Sequence, residues 1–128
     1  MRLLLDTHVL LWSLLAPEHL SERALKSIEN PRNDVLVSAV SAWEIAIKQS
    51  LEKLVLPGSA EQWLPPACDA SGFDWLAVDE EAALRVRTLP WHHRDPFDRL
   101  LIAQASIEYT IVTRDQQFSK YDVSILPA

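Results

Sequence analysis

Five acidic side chains stand where the sequence passes from one type of segment to another. Asp6 ends an apolar run, Glu44 lies early in an amphipathic segment, Asp95 and Asp98 open another such segment, and Asp115 follows a short β-branched run. Converging carboxylates repel one another, and the repulsion forces protonation or requires a cation. Mg²⁺ and Mn²⁺ are hard cations that prefer oxygen ligands. If these acids meet, the sequence predicts a divalent-metal site suited to a phosphodiester substrate.

The segments that must position these acids alternate between strands and helices. Short apolar runs predict strands at 2–5, 34–38, 73–78 and 109–113, with a candidate edge strand at 123–125. Capping residues and apolar spacing predict helices at 9–15, 22–30, 41–51, 60–70, 80–88 and 96–108, and a short helix after Asp115. This alternation is typical of a parallel sheet covered by helices on both faces. Ligands bind such sheets beyond the carboxyl ends of the strands, where the acids fall.

Length and composition exclude several classes of protein. The chain has 128 residues, of which 48% are hydrophobic, so we expect a single domain over residues 1–128. One cysteine, Cys68, excludes a disulfide framework and a cysteine-based zinc site, and we interpret it as a small buried apolar residue. Two isolated glycines exclude the glycine-rich phosphate loops. With no membrane-length apolar run and no signal-peptide cleavage site, we expect a cytoplasmic protein.

The net charge of −6 argues at first against a nucleic-acid partner, since such proteins are usually basic. However, five of the 18 acidic residues belong to the proposed site, and the remainder nearly balance the 12 basic residues. The segment 85–99 is also rich in arginine, and its members are Arg85, Arg87, Arg94 and Arg99. A basic rim beside an acidic centre fits a phosphodiester substrate.

Helix capping offers an ordinary structural explanation for each acid. Ser41 and Glu44 have the spacing of a capping box, in which the glutamate bonds back to the serine amide. Asp95 precedes Pro96 as an N-cap should, and Asp98 is a first-turn acid that the helix dipole favours. Asp6 and Asp115 could cap their own helices in the same way.

Other polar and aromatic candidates give weaker signals. Adjacent histidines in a loop point apart, so we expect His92 and His93 to be solvated or to contact phosphate rather than to bind a metal. His8 is expected to pack or bond near Asp6. Trp91, in the same loop as the histidine pair, is the tryptophan best placed to stack on a base. Lys48 lies one helical turn after Glu44 and could pair with it or contact phosphate.

Four segments together resemble the PIN domain, in its branch of VapC-type toxins from bacterial type II toxin–antitoxin systems. They occur in the order LLDTH at 4–8, SAVSAWEIAIK at 38–48, HRDPFDRLLIAQA at 93–105 and VTRD at 112–115. The resemblance implies a three-layer α/β/α sandwich around a central parallel sheet. It also implies a Mg²⁺- or Mn²⁺-dependent endoribonuclease that cuts RNA, forms a homodimer and is held inactive by a VapB-type antitoxin.

The resemblance carries over residue by residue. It implies a catalytic quartet of Asp6, Glu44, Asp98 and Asp115, with Asp6, Asp95, Asp98 and Asp115 as metal ligands. Between Asp95 and Asp98 we favour Asp98 as the inner ligand, because it begins the helical part of its motif. For substrate contact or ligand orientation we name Thr7, Thr113, Lys48, Arg94 and Arg99. The segment 52–75 carries no motif of the family.

Three other classes of protein are alternatives to this interpretation. A phosphoacceptor receiver domain needs an adjacent acidic pair after the first strand and a lysine after a late strand, whereas this chain has Thr7 after Asp6 and Arg114 after Thr113. A haloacid-dehalogenase-type phosphatase needs a second aspartate where His8 stands. The serious alternative is a catalytically silent PIN-fold protein that binds RNA or a protein partner.

Overall fold

Five strands form one fully parallel sheet in the computed structural model, which describes residues 1–128. Their order across the sheet is β3-β2-β1-β4-β5, so β1 lies at the centre, where Leu4 is in register with Leu36 on one side and Ile111 on the other. The strands are β1 (Arg2–Leu5), β2 (Asp34–Ser38), β3 (Asp74–Leu76), β4 (Thr110–Thr113) and β5 (Ser124–Pro127). The predicted edge strand at 123–125 is therefore confirmed as β5, which pairs with β4 in parallel.

Six α-helices connect and cover the strands. They are α1 (Thr7–Leu15), α2 (Glu22–Glu29), α3 (Ala39–Ser50), α4 (Ala60–Ala70), α5 (Glu80–Arg85) and α6 (Pro96–Glu108). Three short 3₁₀ helices complete the chain at Pro17–His19, Val86–Thr88 and Gln116–Lys120. No helix combines the length and the apolar composition that a membrane span requires.

The side chains of the sheet alternate between two apolar cores, as the period of two in a strand requires. Leu3, Leu5 and Val37 join the core beneath α1, α2 and α4. Leu4 and Leu36 join the opposite core, which also contains Leu101, Ile102 and Phe118. Because each face of the sheet has its own covered core, the predicted three-layer α/β/α sandwich is confirmed.

Several predicted helix boundaries were wrong: α1 begins at Thr7 rather than Val9, and α5 ends at Arg85 rather than Thr88. A third such error bears on the site. Helix α3 begins at Ala39 rather than Ser41, because β2 continues into the helix without a loop. Ser38 is the N-cap: its hydroxyl accepts a hydrogen bond from the amide of Val40 (3.0 Å) and donates one to Gln104 Oε1 (2.6 Å). The capping box predicted for Ser41 and Glu44 therefore does not form, since both residues lie inside the helix.

The strand order creates a switch point beside β1. The chain adds β2 and β3 on one side of β1 and then returns to add β4 and β5 on the other side. The connections after β1 and β4 therefore leave the sheet in different directions, which opens a crevice at the carboxyl ends of these two strands. Asp6 directly follows β1, and Asp115 stands just beyond β4.

Candidate active site

The structure brings the predicted acids together at the carboxyl ends of β1 and β4. Asp6 comes from the end of β1, Glu44 from α3, Asp95 and Asp98 from the start of α6, and Asp115 from the segment after β4. The charges of the other four acids all act on Asp98, which shows that the five carboxylates share one neighbourhood. The predicted convergence of distant segments is thus present in the fold.

Asp98 is the acid of the site whose pKa departs most from its ordinary value. Its side chain is 18% exposed, and its Oδ2 lies 3.0 Å from His93 Nε2. Burial, followed by the negative charges of Asp6, Asp95, Glu44 and Asp115, raises the pKa of Asp98 to about 8. A carboxylate that resists ionisation beside four other acids is a group that gains stability from a nearby cation.

Asp6 is almost completely buried, with 3% exposure. One carboxylate oxygen, Oδ2, accepts a hydrogen bond of 2.8 Å from Thr113 Oγ1, while Oδ1 is buried without a partner. Burial raises the pKa of Asp6, although the hydrogen bond from Thr113 opposes the shift. Asp6 stands at the N-cap position of α1, yet its side chain accepts no capping hydrogen bond, so capping does not explain it.

Glu44 resembles Asp6 in having one bonded and one unpartnered carboxylate oxygen. It is 3% exposed, its Oε2 binds the Nζ atom of Lys48 at 2.5 Å, and its Oε1 is buried without a partner. The hydrogen bond from Lys48 to Glu44 raises the pKa of Lys48. The predicted pairing of these two residues one helical turn apart is therefore confirmed.

Helix capping accounts for the position of Asp95, and it accounts for one of the two carboxylate oxygens of Asp115. Asp95 Oδ1 accepts hydrogen bonds from the amides of Phe97 (2.8 Å) and Asp98 (3.1 Å), as an N-cap does. Asp115 Oδ1 accepts one from the amide of Gln117 (2.9 Å), whereas its Oδ2 takes no part in capping. Of the two acids at the start of α6, Asp98 is thus the one whose side chain has no capping role.

His93 belongs to the site, although the sequence predicted that it would be solvated or would contact phosphate. Its Nε2 lies 2.9 Å from Asp115 Oδ2 and 3.0 Å from Asp98 Oδ2, and the three ligand atoms lie within 4.8 Å of one another. The two adjacent histidines do diverge as predicted, because the ring of His92 packs on Tyr121 instead. Because the two rings diverge, the ring of His93 lies against the acids. The only feature of the sequence that could have indicated this contact is the position of His93 two residues before Asp95.

The two predicted threonines occupy different places. Thr113 donates to Asp6 Oδ2 and accepts a hydrogen bond from the amide of Asp115 (3.0 Å), so it links two of the acids. Thr7 is buried and donates to the hydroxyl of Ser41 (2.9 Å). Thr7 also lines a cavity of about 150 Å³ together with Glu44 and Lys48. Both hydroxyls therefore border the site.

Arg99 does not occupy the role that the sequence suggested. It is 2% exposed, and its guanidinium donates to four backbone carbonyls, those of Val86, Leu89, Pro90 and His93, at 2.9 to 3.2 Å. The guanidinium also lies 3.7 Å from the ring centre of Trp91. Because its donors face the loop that precedes α6, Arg99 supports this loop and is not available to substrate. Arg94 is exposed, as a rim residue should be.

The donor set of the site fits a divalent cation. Asp6 Oδ1 and Glu44 Oε1 are buried oxygen atoms without any hydrogen-bond donor, which is costly unless a partner completes them. Asp98 and Asp115 add carboxylate oxygens from two further elements. Oxygen atoms of this kind are the ligands that Mg²⁺ and Mn²⁺ prefer.

Comparisons with known sequences agree on one family. Residues 3–124 match the PIN domain. Ribonuclease VapC22 of Mycobacterium tuberculosis is 31% identical over 121 residues, which cover 92% of this chain and 90% of that protein. Ribonuclease VapC16 of the same organism is 40% identical over 52 residues, which cover 41% of this chain and 37% of that protein.

Solved structures show the same architecture. VapBC2 from Rickettsia felis, bound to a DNA fragment from their promoter, matches with a TM-score of 0.74 at 13% identity, over 99% of this chain and 98% of the other. FitAcB from Neisseria gonorrhoeae matches with a TM-score of 0.65 at 25% identity, over 97% of this chain and 96% of the other. The likeness to the first establishes the fold alone, because its sequence identity is low.

Proposed function

Because the chain belongs to the PIN-domain family, we propose that it is a metal-dependent endoribonuclease toxin of the VapC type. It hydrolyses phosphodiester bonds in RNA and is neutralised by a cognate antitoxin. The observation that carries this proposal is the convergence of carboxylates from four elements around Asp98, whose pKa is raised to about 8, with Asp6 and Glu44 fully buried. The match to ribonucleases VapC22 and VapC16 supports the choice of substrate.

The metal is assigned to carboxylate oxygens that do not take part in capping. Asp6, Asp98 and Asp115 would hold Mg²⁺ or Mn²⁺ through such oxygens, with Asp98 as the inner ligand of α6. Asp95 contributes only through its Oδ2, because its Oδ1 caps the helix. A bound divalent cation lowers the pKa of water and stabilises negative charge that develops at phosphorus.

The protein's own residues then position the acids and the RNA. Thr113 fixes the carboxylate of Asp6 through a 2.8 Å hydrogen bond to Oδ2, which leaves Oδ1 without a hydrogen-bond partner. Glu44 is held by Lys48 and completes the catalytic quartet. Lys48 and Thr7 line the small cavity beside Glu44, and Arg94 is exposed directly before Asp95, so these residues are proposed to contact the phosphates of RNA.

The partners follow from the same family. A VapB-type antitoxin is proposed because solved structures with this fold are the complexes VapBC2 and FitAcB. A homodimer is proposed on the family resemblance. RNA as the target places the activity in the cytoplasm.

RNA cleavage by the purified, antitoxin-free protein tests the proposal. We expect cleavage with Mg²⁺ or Mn²⁺, loss of cleavage with EDTA, and loss in Asp6→Asn. Asp69→Asn is the matched control, because Asp69 is an exposed acid on α4 and the change removes the same charge. We expect products with 5′-phosphate and 3′-hydroxyl ends, whereas a 2′,3′-cyclic phosphate would make the 2′-hydroxyl the nucleophile and refute this mechanism.

Calorimetric titration of Mn²⁺ separates the enzyme from the silent alternative. We expect Mn²⁺ binding that is lost or greatly weakened in Asp6→Asn and retained in Asp69→Asn. Equal weak binding in all three proteins, together with no cleavage of any RNA, would instead favour a catalytically silent PIN-fold protein that binds RNA or a partner.

A further inference from the structure

We propose that His93 is a positioning residue of the acidic site and not one of its metal ligands. With its ring proton on Nε2, it donates a hydrogen bond to Asp115 Oδ2 and lies directly against Asp98 Oδ2, so that it sets the spacing of these two carboxylates. The inference rests on the proposed function insofar as these acids are taken to bind a metal. The alternative is that His93 joins them as a nitrogen ligand, since all three ligand atoms lie within 4.8 Å.

The position of His93 between the two acids is the first observation. Its Nε2 lies 2.9 Å from Asp115 Oδ2 and 3.0 Å from Asp98 Oδ2. The two carboxylates come from different elements, since Asp98 belongs to α6 and Asp115 follows β4. The N–H group of His93 donates to Asp115 and brings its positive end to within contact of Asp98, which offsets part of the repulsion between the two acids.

The other ring nitrogen identifies the tautomer. The backbone amide of Asp95 donates to His93 Nδ1 at 3.2 Å, so Nδ1 must offer a lone pair. The ring proton of neutral His93 is then on Nε2, the atom that faces the acids. Metal ligation through Nε2 would need the proton on Nδ1, where it would face the N–H group of Asp95. The hydrogen bond from Asp95 therefore favours a donor and disfavours a ligand.

The loop around His93 is held so that the ring cannot easily turn. The backbone amide of His93 donates to the hydroxyl of Tyr121 (2.8 Å), which itself donates to the carbonyl of Pro90 (2.7 Å). The carbonyl of His93 accepts from the buried guanidinium of Arg99 (3.2 Å). The ring packs edge-on against Phe118, with 5.8 Å between the ring centres. Both backbone groups of His93 are thus bonded and its ring is in contact with Phe118, as a fixed donor requires.

The tautomer can be measured directly by nitrogen NMR of the imidazole rings. In metal-free protein at mildly alkaline pH, we expect His93 to show a protonated Nε2 and an unprotonated Nδ1. We expect the same pattern after saturation with Mg²⁺, which is diamagnetic. A proton on Nδ1 in the metal-free protein, or a transfer of the proton to Nδ1 when Mg²⁺ is added, would overturn the proposal and favour direct ligation.

Substitutions test the consequence for metal affinity. His93→Phe keeps a ring against Phe118 but removes the donor, whereas His93→Gln keeps an N–H group near the position of Nε2. By calorimetry we expect His93→Phe to bind Mn²⁺ about 10- to 100-fold more weakly, the usual effect of losing a group that orients metal ligands. We expect His93→Gln to restore affinity to within about threefold of the wild type, well inside that loss.

The neighbouring histidine provides the matched control. His92→Gln makes the same chemical change one residue earlier, at an exposed ring that packs on Tyr121, and we expect unchanged Mn²⁺ affinity. Unweakened binding in His93→Phe, or binding in His93→Gln as weak as in His93→Phe, would refute the positioning role. Circular dichroism identifies a variant that fails to fold, and the tautomer of the wild type then decides the question.

These measurements use no RNA, so they can refute the role of His93 independently of the proposed function. A protein that shows the expected tautomer and binds Mn²⁺ but cuts no RNA would refute the nuclease and leave the role of His93 intact. A protein that cuts RNA but carries the proton of His93 on Nδ1 would refute the role of His93 alone.

Discussion

The two ends of the central strand β1 differ in how their charged groups are paired and how far they are exposed. At the amino end, Arg2 pairs with Glu108, and both side chains are about half exposed, at 43% and 54%. The guanidinium of Arg2 also lies 4.6 Å from the ring centre of Tyr109, and the amino group of Met1 binds Asn33. At the carboxyl end, Asp6 is buried among other acids and has one oxygen without a partner.

This difference shows which end of the sheet is arranged for stability and which for chemistry. Opposite charges in water are inexpensive to hold and contribute little. Like charges in a buried crevice are costly, and a fold retains them where a ligand or a reaction uses them. The four predictions that follow change one end or the other, and each would weaken or strengthen this contrast.

The largest effect is expected for Asp98→Asn at the carboxyl end. Removing the inner ligand should lower the rate of RNA cleavage at least about a hundredfold, because the charge at the reacting phosphate is no longer balanced. Single-turnover cleavage of an RNA substrate measures this loss. Asp95→Asn is the paired variant, since asparagine still caps α6 and should cost much less. A larger loss in Asp95→Asn would reverse the assignment of the inner ligand.

The next effect concerns the loop behind the site. Arg99→Met removes the donor to four backbone carbonyls and should lower the free energy of unfolding by roughly 2–4 kcal/mol, since those groups lose their partner. Urea unfolding measures the change. Arg99→Lys should recover only part of it, because an ammonium group cannot span the same carbonyls. If Arg99→Met were as stable as the wild type, the loop would not depend on Arg99 for its conformation.

Another effect at the carboxyl end is expected from pH. Because the pKa of Asp98 is raised to about 8 from an unfolded value near 3.8, the folded state binds more protons between these two values. The free energy of unfolding of the metal-free protein should therefore fall as pH rises from about 4 to about 8, by at most ~1.4 kcal/mol per pH unit. Urea unfolding across this range measures the slope, and Asp98→Asn should flatten it. An equal slope in both proteins would place its origin elsewhere.

The smallest effect is expected at the amino end. Glu108→Gln breaks the exposed pair with Arg2 and should leave the midpoint of thermal unfolding unchanged within measurement error. Differential scanning calorimetry in low and high salt checks this expectation. A clear, salt-dependent loss of stability would show that charge pairing matters at both ends of β1, which would remove the contrast.

The fold could be predicted where local signals are unambiguous. The apolar run at Asp34–Ser38 and the Asp95-Pro96 cap give the observed strand and helix start without any tertiary information. The start of α3 could not be predicted, because Ser38 and Ser41 are both good N-caps. Ser38 is the cap because β2 ends there and its hydroxyl also reaches Gln104 on α6, a contact that no local pattern shows.

The site divides in the same way. Acids at strand ends could be predicted, because parallel strands bring their carboxyl ends to one edge. The opposite roles of His93 and Arg99 could not be predicted, since both depend on the path of the loop before α6. That path is set by contacts with Tyr121 and with the carbonyls of the loop itself. Residue type and spacing alone make Arg99 look like a substrate contact.

The strand order also has a consequence for when the site first exists. Asp6 is among the first residues to be synthesised, but the threonine that holds its carboxylate is 107 positions further along the chain. β1 can pair with β2 long before β4 has left the ribosome, because folding proceeds from the amino end during synthesis. Thr113 and Asp115 are the last residues of the site to be synthesised, so the site is incomplete until both have emerged.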